Sequence, residues 1–315
     1  MDFFQQMTDY GRRSVPFLFA IDFEGKESFI YPLEYLDETK ILFNIKGKTN
    51  GHGIVKPKPF SFVKVPVAYQ DYLVAYKKVL YHINRGDTYL LNLTFPSAIQ
   101  TNLSLQEIFY LAKTPYKLFF KNRFVCFSPE SFIKIKAGKI FSYPMKGTID
   151  ANISDAEQTL MNDKKELAEH YTIVDLIRND LSQVANNVQV NRFRYAEKIS
   201  TNGKTLLQTS SEISGDLFIN DLGKVFQKLL PAGSISGAPK QKTVEIIQSV
   251  EKTSRGFYTG VFGMFDGEVL DSAVMIRFIA HQGKNLVYHS GGGIVSHSNA
   301  EKEYAELIDK IYLPV

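Results

Sequence analysis

Two stretches of the chain each carry a pair of glutamates three residues apart: Glu166 with Glu169, and Glu303 with Glu306 near the C-terminus. On a helix that spacing puts both carboxylates on one face. Were the two faces to converge, four carboxylates would offer the oxygen ligands that Mg2+ prefers. On spacing alone the plainer alternative is a solvated helix surface, where Glu is common. Glutamates in the same stretches also fit capping boxes, Asp163-x-x-Glu166 and Ser298-x-x-Glu301.

Lys146 lies just after an expected strand, in Tyr143-Pro-Met-Lys-Gly-Thr148. A lysine partly removed from water beside other cations can act as a nucleophile, and Gly147 would let a substrate approach the backbone. The alternative is an exposed lysine in a turn. Glu130 follows Ser128-Pro129 at a strand junction. Kept protonated in a cleft, it could hand a proton to a departing hydroxyl; an exposed turn glutamate is the alternative. Ser290-Gly291-Gly292-Gly293 offers successive backbone amides, which suit a carboxylate, or else a flexible connection. Gly233 to Lys240 partly matches a phosphate loop. Ala238-Pro239 precede its lysine and no Ser or Thr immediately follows it, which excludes nucleotide binding there. The six histidines show neither zinc-ligand spacing nor a triad with a serine.

These residues need elements to hold them. Short runs separated by turn residues predict strands over Pro16–Phe23, Ser28–Tyr31, Ile41–Ile45 and Ser61–Val67. A helix is expected over Tyr69–Asn84, with Tyr72, Tyr76, Leu80 and Ile83 on one face and Gly86 as its stop. A strand over Thr88–Phe95 follows, then a short helix capped by Ser104. Further strands are expected at Lys117–Lys121, Phe124–Phe127, Phe132–Lys136 and Lys139–Tyr143, the last two turned at Ala137-Gly138. Helical periodicity covers Asp163–Val184. Strands span Val188–Ser214, helices Asp221–Leu230 and Pro239–Glu251. Phe257–Phe265 and Val269–Ala280 read as a strand pair turned at Asp266-Gly267, Lys284–His289 as a strand and Asn299–Ile311 as the last helix. Strands come in consecutive runs, which argues for an α+β fold with mainly antiparallel sheets packed together and flanked by helices. A single large domain over residues 1–315 is the simpler reading.

Composition narrows the classes of function. The chain has 315 residues, 44% of them apolar, which suits a globular core. Net charge is +4 and the basic residues are scattered, so nucleic acid is not an expected partner. No apolar run approaches the ~20 residues needed to cross a bilayer, and the N-terminus does not resemble a signal peptide. Cys126 is the only cysteine, which excludes an internal disulfide and fits a reducing, cytoplasmic setting.

Several longer motifs stand in a fixed order. Glu166-Leu-Ala-Glu169-His170 continues into Ile173-Val-Asp-Leu-Ile-Arg-Asn-Asp-Leu181. Gly233-Ser-Ile-Ser-Gly-Ala-Pro-Lys240, Arg255-Gly-Phe-Tyr-Thr-Gly260, Ile276-Arg277 and Gly291-Gly-Gly-Ile-Val295 follow. From about Leu73 to the C-terminus this series resembles the chorismate-utilising family, which includes anthranilate, aminodeoxychorismate, isochorismate and salicylate synthases. The resemblance implies Glu169 and Glu306 as direct Mg2+ ligands, with Glu166 and Glu303 as supporting carboxylates, and a metal that neutralises the ring carboxylate of chorismate. It implies that Arg277, Tyr258 and the amides at Gly291, Gly292 and Gly293 grip the enolpyruvyl carboxylate, and that Lys310 and Thr148 also serve the substrate.

Lys146 before Gly-Thr resembles the aminodeoxychorismate synthase branch; anthranilate synthases usually have Ala there. In that branch's proposed mechanism the lysine amine attacks the ring while Glu130 protonates the departing hydroxyl. Ammonia, supplied by a separate glutamine amidotransferase subunit, then displaces the lysine. Leu90 stands where aminating members usually have Gln and hydroxylating ones Lys. Gln208 stands where a family histidine is associated with pyruvate loss, which favours a product that keeps the enolpyruvyl group. Anthranilate synthase or another chorismate enzyme is the alternative. Residues 1–67 resemble a shortened N-terminal region without the tryptophan feedback segment.

Overall fold

The strand Phe17–Ile21 is apolar at every position, and in the computed structural model of the protein all five side chains are buried. A strand turns alternate side chains to opposite faces, so such a run must be covered on both sides. Phe17, Phe19 and Ile21 enter a core shared with helices, while Leu18 and Ala20 enter another shared with a second sheet. The structure describes residues 1–201, 204–219 and 221–315.

The described strands form two antiparallel nine-stranded sheets. The first runs from Met145–Asp150 through Lys204–Leu217, Lys139–Ser142, Ser131–Lys136, Leu270–Val274, Val261–Phe265 and Phe17–Ile21 to Ser28–Pro32. Ala185–Thr201 pairs along the other edge of Lys204–Leu217. These two strands fall in the expected Val188–Ser214 block, whose residues 202 and 203 lie outside the described residues. The second sheet runs from Gly237–Ala238 through Leu90–Thr101, Asn285–Ile294, Phe278–Gln282, Phe124–Ser128, Tyr116–Phe120 and Ile41–Ile45 to Lys48–Thr49, with Phe62–Val65 beside Leu90–Thr101.

Period two sorts the core into layers. Leu18, Phe262 and Met264 of the first sheet meet Phe43, Leu118, Cys126 and Phe278 of the second. The outer face of the first sheet is covered by helices, among them Phe3–Arg12, Lys164–Ser182 and Leu222–Leu229, through Met7, Ile177 and Phe226. The outer face of the second carries Phe119, Val125 and Phe127 against the helix Leu105–Leu111 and the C-terminal Ile311 and Leu313. The expected α+β class, with antiparallel sheets packed together and flanked by helices, is what the chain adopts.

Several local expectations change. The N-terminus forms the helix Phe3–Arg12, closed by a capping box between Asp2 and Gln5. A further helix, Ala156–Asn162, precedes Lys164–Ser182. The Ser298–Glu301 capping box does not form. Asn299 caps the helix Ala300–Asp309 by accepting from the Lys302 amide, and Ser298 donates to Glu303 instead. Asp163 does cap Lys164–Ser182, accepting from the Glu166 amide. The single strand expected over Val269–Ala280 is two. Leu270–Val274 pairs in the first sheet and Phe278–Gln282 in the second. Between them Arg277 takes φ +53°, in the left-handed region, where the chain passes from one sheet to the other.

Candidate active site

Where that passage occurs, the structure holds a cavity of about 180 Å³ lined by Glu130, Lys146, Tyr258, Arg277 and Lys310 together with the glycines 291–293. Lys146 is not in a turn. It lies on the strand Met145–Asp150, opposite Thr209, whose hydroxyl donates to the Lys146 carbonyl. Gly147 takes φ +68° at a bulge, and a Cβ there would meet Glu166 Oε2 at 3.0 Å. The glycine therefore lets the acidic helix close against the strand. Lys146 Nζ reaches Glu169 Oε2 at 3.3 Å.

Glu130 faces the cavity between the two sheets and accepts from the Ser234 hydroxyl at 2.6 Å. Loss of bulk water pushes its carboxyl above the usual range, against the pull of that hydrogen bond and of Lys146, Lys310 and Arg277. Lys310 donates to Glu306 at 2.7 Å and to the Gly291 carbonyl at 2.8 Å; burial draws its pKa down. Arg277 donates to the Lys310 carbonyl at 3.0 Å and lies over the Tyr312 ring. Tyr258 is buried against His289, with ring centroids 5.0 Å apart. The run Ser290–Gly293 is not a connection. It continues the strand Asn285–Ile294, paired residue by residue with Leu90–Thr101. Thr148 is exposed two residues beyond Lys146 and is not among the cavity-lining residues.

The two acidic pairs come to the same end of the molecule. Burial raises the Glu303 carboxyl, and the charges of Glu306 and Glu169 add to that. Burial and the Glu169 charge likewise raise Glu166. For Glu306 burial acts upward too, but Lys310, Lys146 and Lys165 outweigh it and hold the group below its ordinary range. The expected convergence is thus present as mutual repulsion relieved by lysines. Among the described residues no group of three or more His, Cys, Asp or Glu side chains is arranged to hold a metal ion. Lys146 and Lys165 stand on Glu169, Lys310 on Glu306 and Ser298 on Glu303. The donor chemistry, carboxylate oxygens from both helices, is of the kind a hard divalent cation takes.

Residues 33–314 match the family described as chorismate binding enzyme. The chain belongs to that family. Among its relatives is an uncharacterized PabA-like protein of Haemophilus influenzae, 51% identical over 99% of this chain and 96% of that one. The aminodeoxychorismate synthase component 1 of Bacillus subtilis is 30% identical over 82% of this chain and 57% of that protein. Among solved structures, anthranilate synthase component I from Streptococcus pneumoniae superposes with a TM-score of 0.69 at 27% identity, covering 80% of this chain and 59% of that one. The menaquinone-specific isochorismate synthase of Escherichia coli superposes at 0.75 over 98% of this chain and 79% of that one; at 16% identity this speaks for the fold alone.

Within this chorismate-binding fold, sequence reasoning missed Ser234, the hydrogen-bond partner of Glu130. Its signal is its place in the Gly233–Lys240 motif, one of those that carry the family resemblance. Lys240 of that motif pairs with Asp180 at 2.9 Å and donates to the Leu229 carbonyl, so its amine is engaged in the fold. The cavity wall also rests on a buried ion pair. Arg255 binds Glu251 at 2.7 Å and donates to the carbonyls of Ile235, at 3.0 Å, and Asn92, at 2.6 Å. Glu251 accepts from the Thr94 amide at 2.9 Å. Removing one partner strands the other charge, so Glu251→Ala is expected to lower stability by about 3–5 kcal/mol, read as a fall in the urea midpoint at unchanged slope.

Proposed function

We propose that this chorismate-utilising enzyme is the chorismate-converting component of an aminodeoxychorismate synthase. The observation that carries the reading is that one cavity presents a lysine amine, Lys146, and a carboxyl biased toward its protonated form, Glu130. The likeness to the Bacillus subtilis aminodeoxychorismate synthase component supports it.

In this reading Arg277, Lys310, Tyr258 and the glycine strand bind the substrate carboxylates by charge-assisted hydrogen bonds. After giving up a proton, the Lys146 amine donates its lone pair to a ring carbon. The ring π electrons shift and the hydroxyl leaves with its bonding pair, taking the Glu130 proton. The lysine nitrogen is then a secondary ammonium. Ammonia attacks the ring and the lysine nitrogen departs as the neutral amine; the new ammonium group gives a proton back to Glu130, which returns the enzyme and leaves an amine where the hydroxyl was. Splitting the substitution in two lowers the difficulty of each step. Glu169 and Glu306, supported by Glu166 and Glu303, would hold Mg2+ once their lysine partners yield. The ion would supply neutralisation of the ring carboxylate.

Ammonia has to be delivered by another protein, a glutamine amidotransferase subunit. Cys126, the single cysteine, is buried and donates its Sγ–H to the Ile276 carbonyl at 3.3 Å, and burial pushes its thiol well up. No helix among the described residues is long and apolar enough to cross a membrane, and a cytoplasmic enzyme acting as one catalytic domain, without tryptophan feedback, is part of the proposal. The test is to incubate the protein with chorismate, Mg2+ and ammonium at mildly alkaline pH and to identify products by mass spectrometry. Aminodeoxychorismate is expected. Fluorescent anthranilate as the main product would show the anthranilate synthase alternative to be correct.

A further inference from the structure

Ser290 is buried, at 3% exposure, and its hydroxyl oxygen has no hydrogen-bond partner. Buried hydroxyls are rarely left so, and each such case calls for a cause. Ser290 lines the cavity of the candidate active site. The pairing between Asn285–Ile294 and Phe278–Gln282 ends with His289 opposite Phe278. Ser290 therefore stands across from Arg277, at the point where the two strands part. Arg277 has its own orphan there. Its Nε is buried without a partner, while Nη1 is engaged by the Lys310 carbonyl.

The side chains on this stretch of wall decide what is missing. The Arg277 and Lys310 side chains carry donors only, and the Ser290 hydroxyl, which can donate, has no partner. Two adjacent donors, one of them cationic, fit the oxygens of a carboxylate. We propose that Ser290 is a substrate-binding residue whose hydroxyl donates to the same carboxylate that Arg277 Nε meets. The pair would recognise the side-chain carboxylate of a ring dicarboxylate and reject a ring monocarboxylate. This rests on chorismate as the substrate, but not on which product is made.

The test compares the wild type with Ser290→Ala and Ser290→Thr by calorimetric titration in the presence of Mg2+. One ligand is chorismate. The other is the dihydroxycyclohexadiene carboxylate that lacks the enolpyruvyl group. Ser290→Ala is expected to bind chorismate roughly ten-fold more weakly, with a matching rise in KM and little change in kcat. Ser290→Thr restores binding in part, and the monocarboxylate binds all three proteins alike. Without ligand, Ser290→Ala melts no lower than the wild type, because the hydroxyl it loses had no partner. Equal chorismate binding by Ser290→Ala overturns the proposal. So does an equal loss for both ligands, or a lower melting temperature without ligand, since either gives the hydroxyl an internal role. A wild type that binds no chorismate removes the substrate reading along with it. A wild type that binds chorismate but yields anthranilate refutes only the aminodeoxychorismate product.

Discussion

Lys146→Ala lowers kcat/KM for aminodeoxychorismate formation by on the order of 10³-fold or more, while chorismate still binds. The expectation follows from what the amine is placed to do. Lys146 Nζ stands in the cavity wall with Glu169 Oε2 at 3.3 Å as its partner. If a cation occupied the acidic cluster, Glu169 would turn to it and the amine would be released toward the ring. Truncation to Ala removes a positive charge as well as a nucleophile, so Lys146→Arg separates the two roles. Arginine keeps the charge but does not lose its proton in a protein. Both variants are therefore expected to be comparably slow. Product is followed by mass spectrometry at saturating ammonium. An Ala variant that aminates chorismate at the wild-type rate rules out the covalent step. An Arg variant near wild type, beside a slow Ala variant, leaves Lys146 a purely electrostatic part.

The position of Lys146 also shows what the sequence discloses and what it withholds. Strands with a clear period, such as Ile41–Ile45 and Phe124–Ser128, are visible because both neighbouring layers demand apolar side chains. Helix Tyr69–Asn84 is readable from its apolar face and from Gly86 beyond it. Met145–Asp150 is not. Pro144 and Gly147 break its local pattern, and its strand character comes from pairing with Lys204–Leu217, some sixty residues away in sequence. The same holds for Ser290–Gly293. Glycines lack strand propensity, and only the Leu90–Thr101 neighbour makes them a strand.

Site chemistry divides in the same way. The glutamate spacing tells that each pair shares a helix face, but nothing local tells that the two faces meet or that Lys146, from a strand elsewhere in the chain, stands among them. Ordered motifs carry further than spacing: the resemblance they form drew attention to Lys146, Glu130, Arg277, Tyr258 and Lys310, which the structure gathers around one cavity. Thr148, named on the same grounds, stays on the surface. Ser234 and Ser290 lie in motifs the sequence offers, but the roles of their side chains are not legible there because a hydroxyl has no spacing rule of its own. Their meaning depends wholly on a partner, or on the lack of one.

Glu130→Gln is expected to slow amination by about 10²–10⁴-fold, the usual worth of a positioned general acid. Glutamine keeps the shape and can still meet the Ser234 hydroxyl, so binding of chorismate should change little. The wild type should also show a pH signature that the variant lacks. Glu130 sits above its ordinary value of 4.5 because the cavity strips it of water. It must carry its proton to act, so at fixed free ammonia the rate falls as pH rises through that elevated pKa. Stability has the same sign. Between 4.5 and the folded value the native state holds more protons than the unfolded one, so the unfolding free energy declines as pH rises across that window. Glu130→Gln removes the titrating group, and with it both the alkaline loss of rate attributable to this residue and that part of the stability slope. A variant that loses rate but keeps the wild-type slope in both profiles would place the proton donor elsewhere, and leave Glu130 as a contact that positions Ser234.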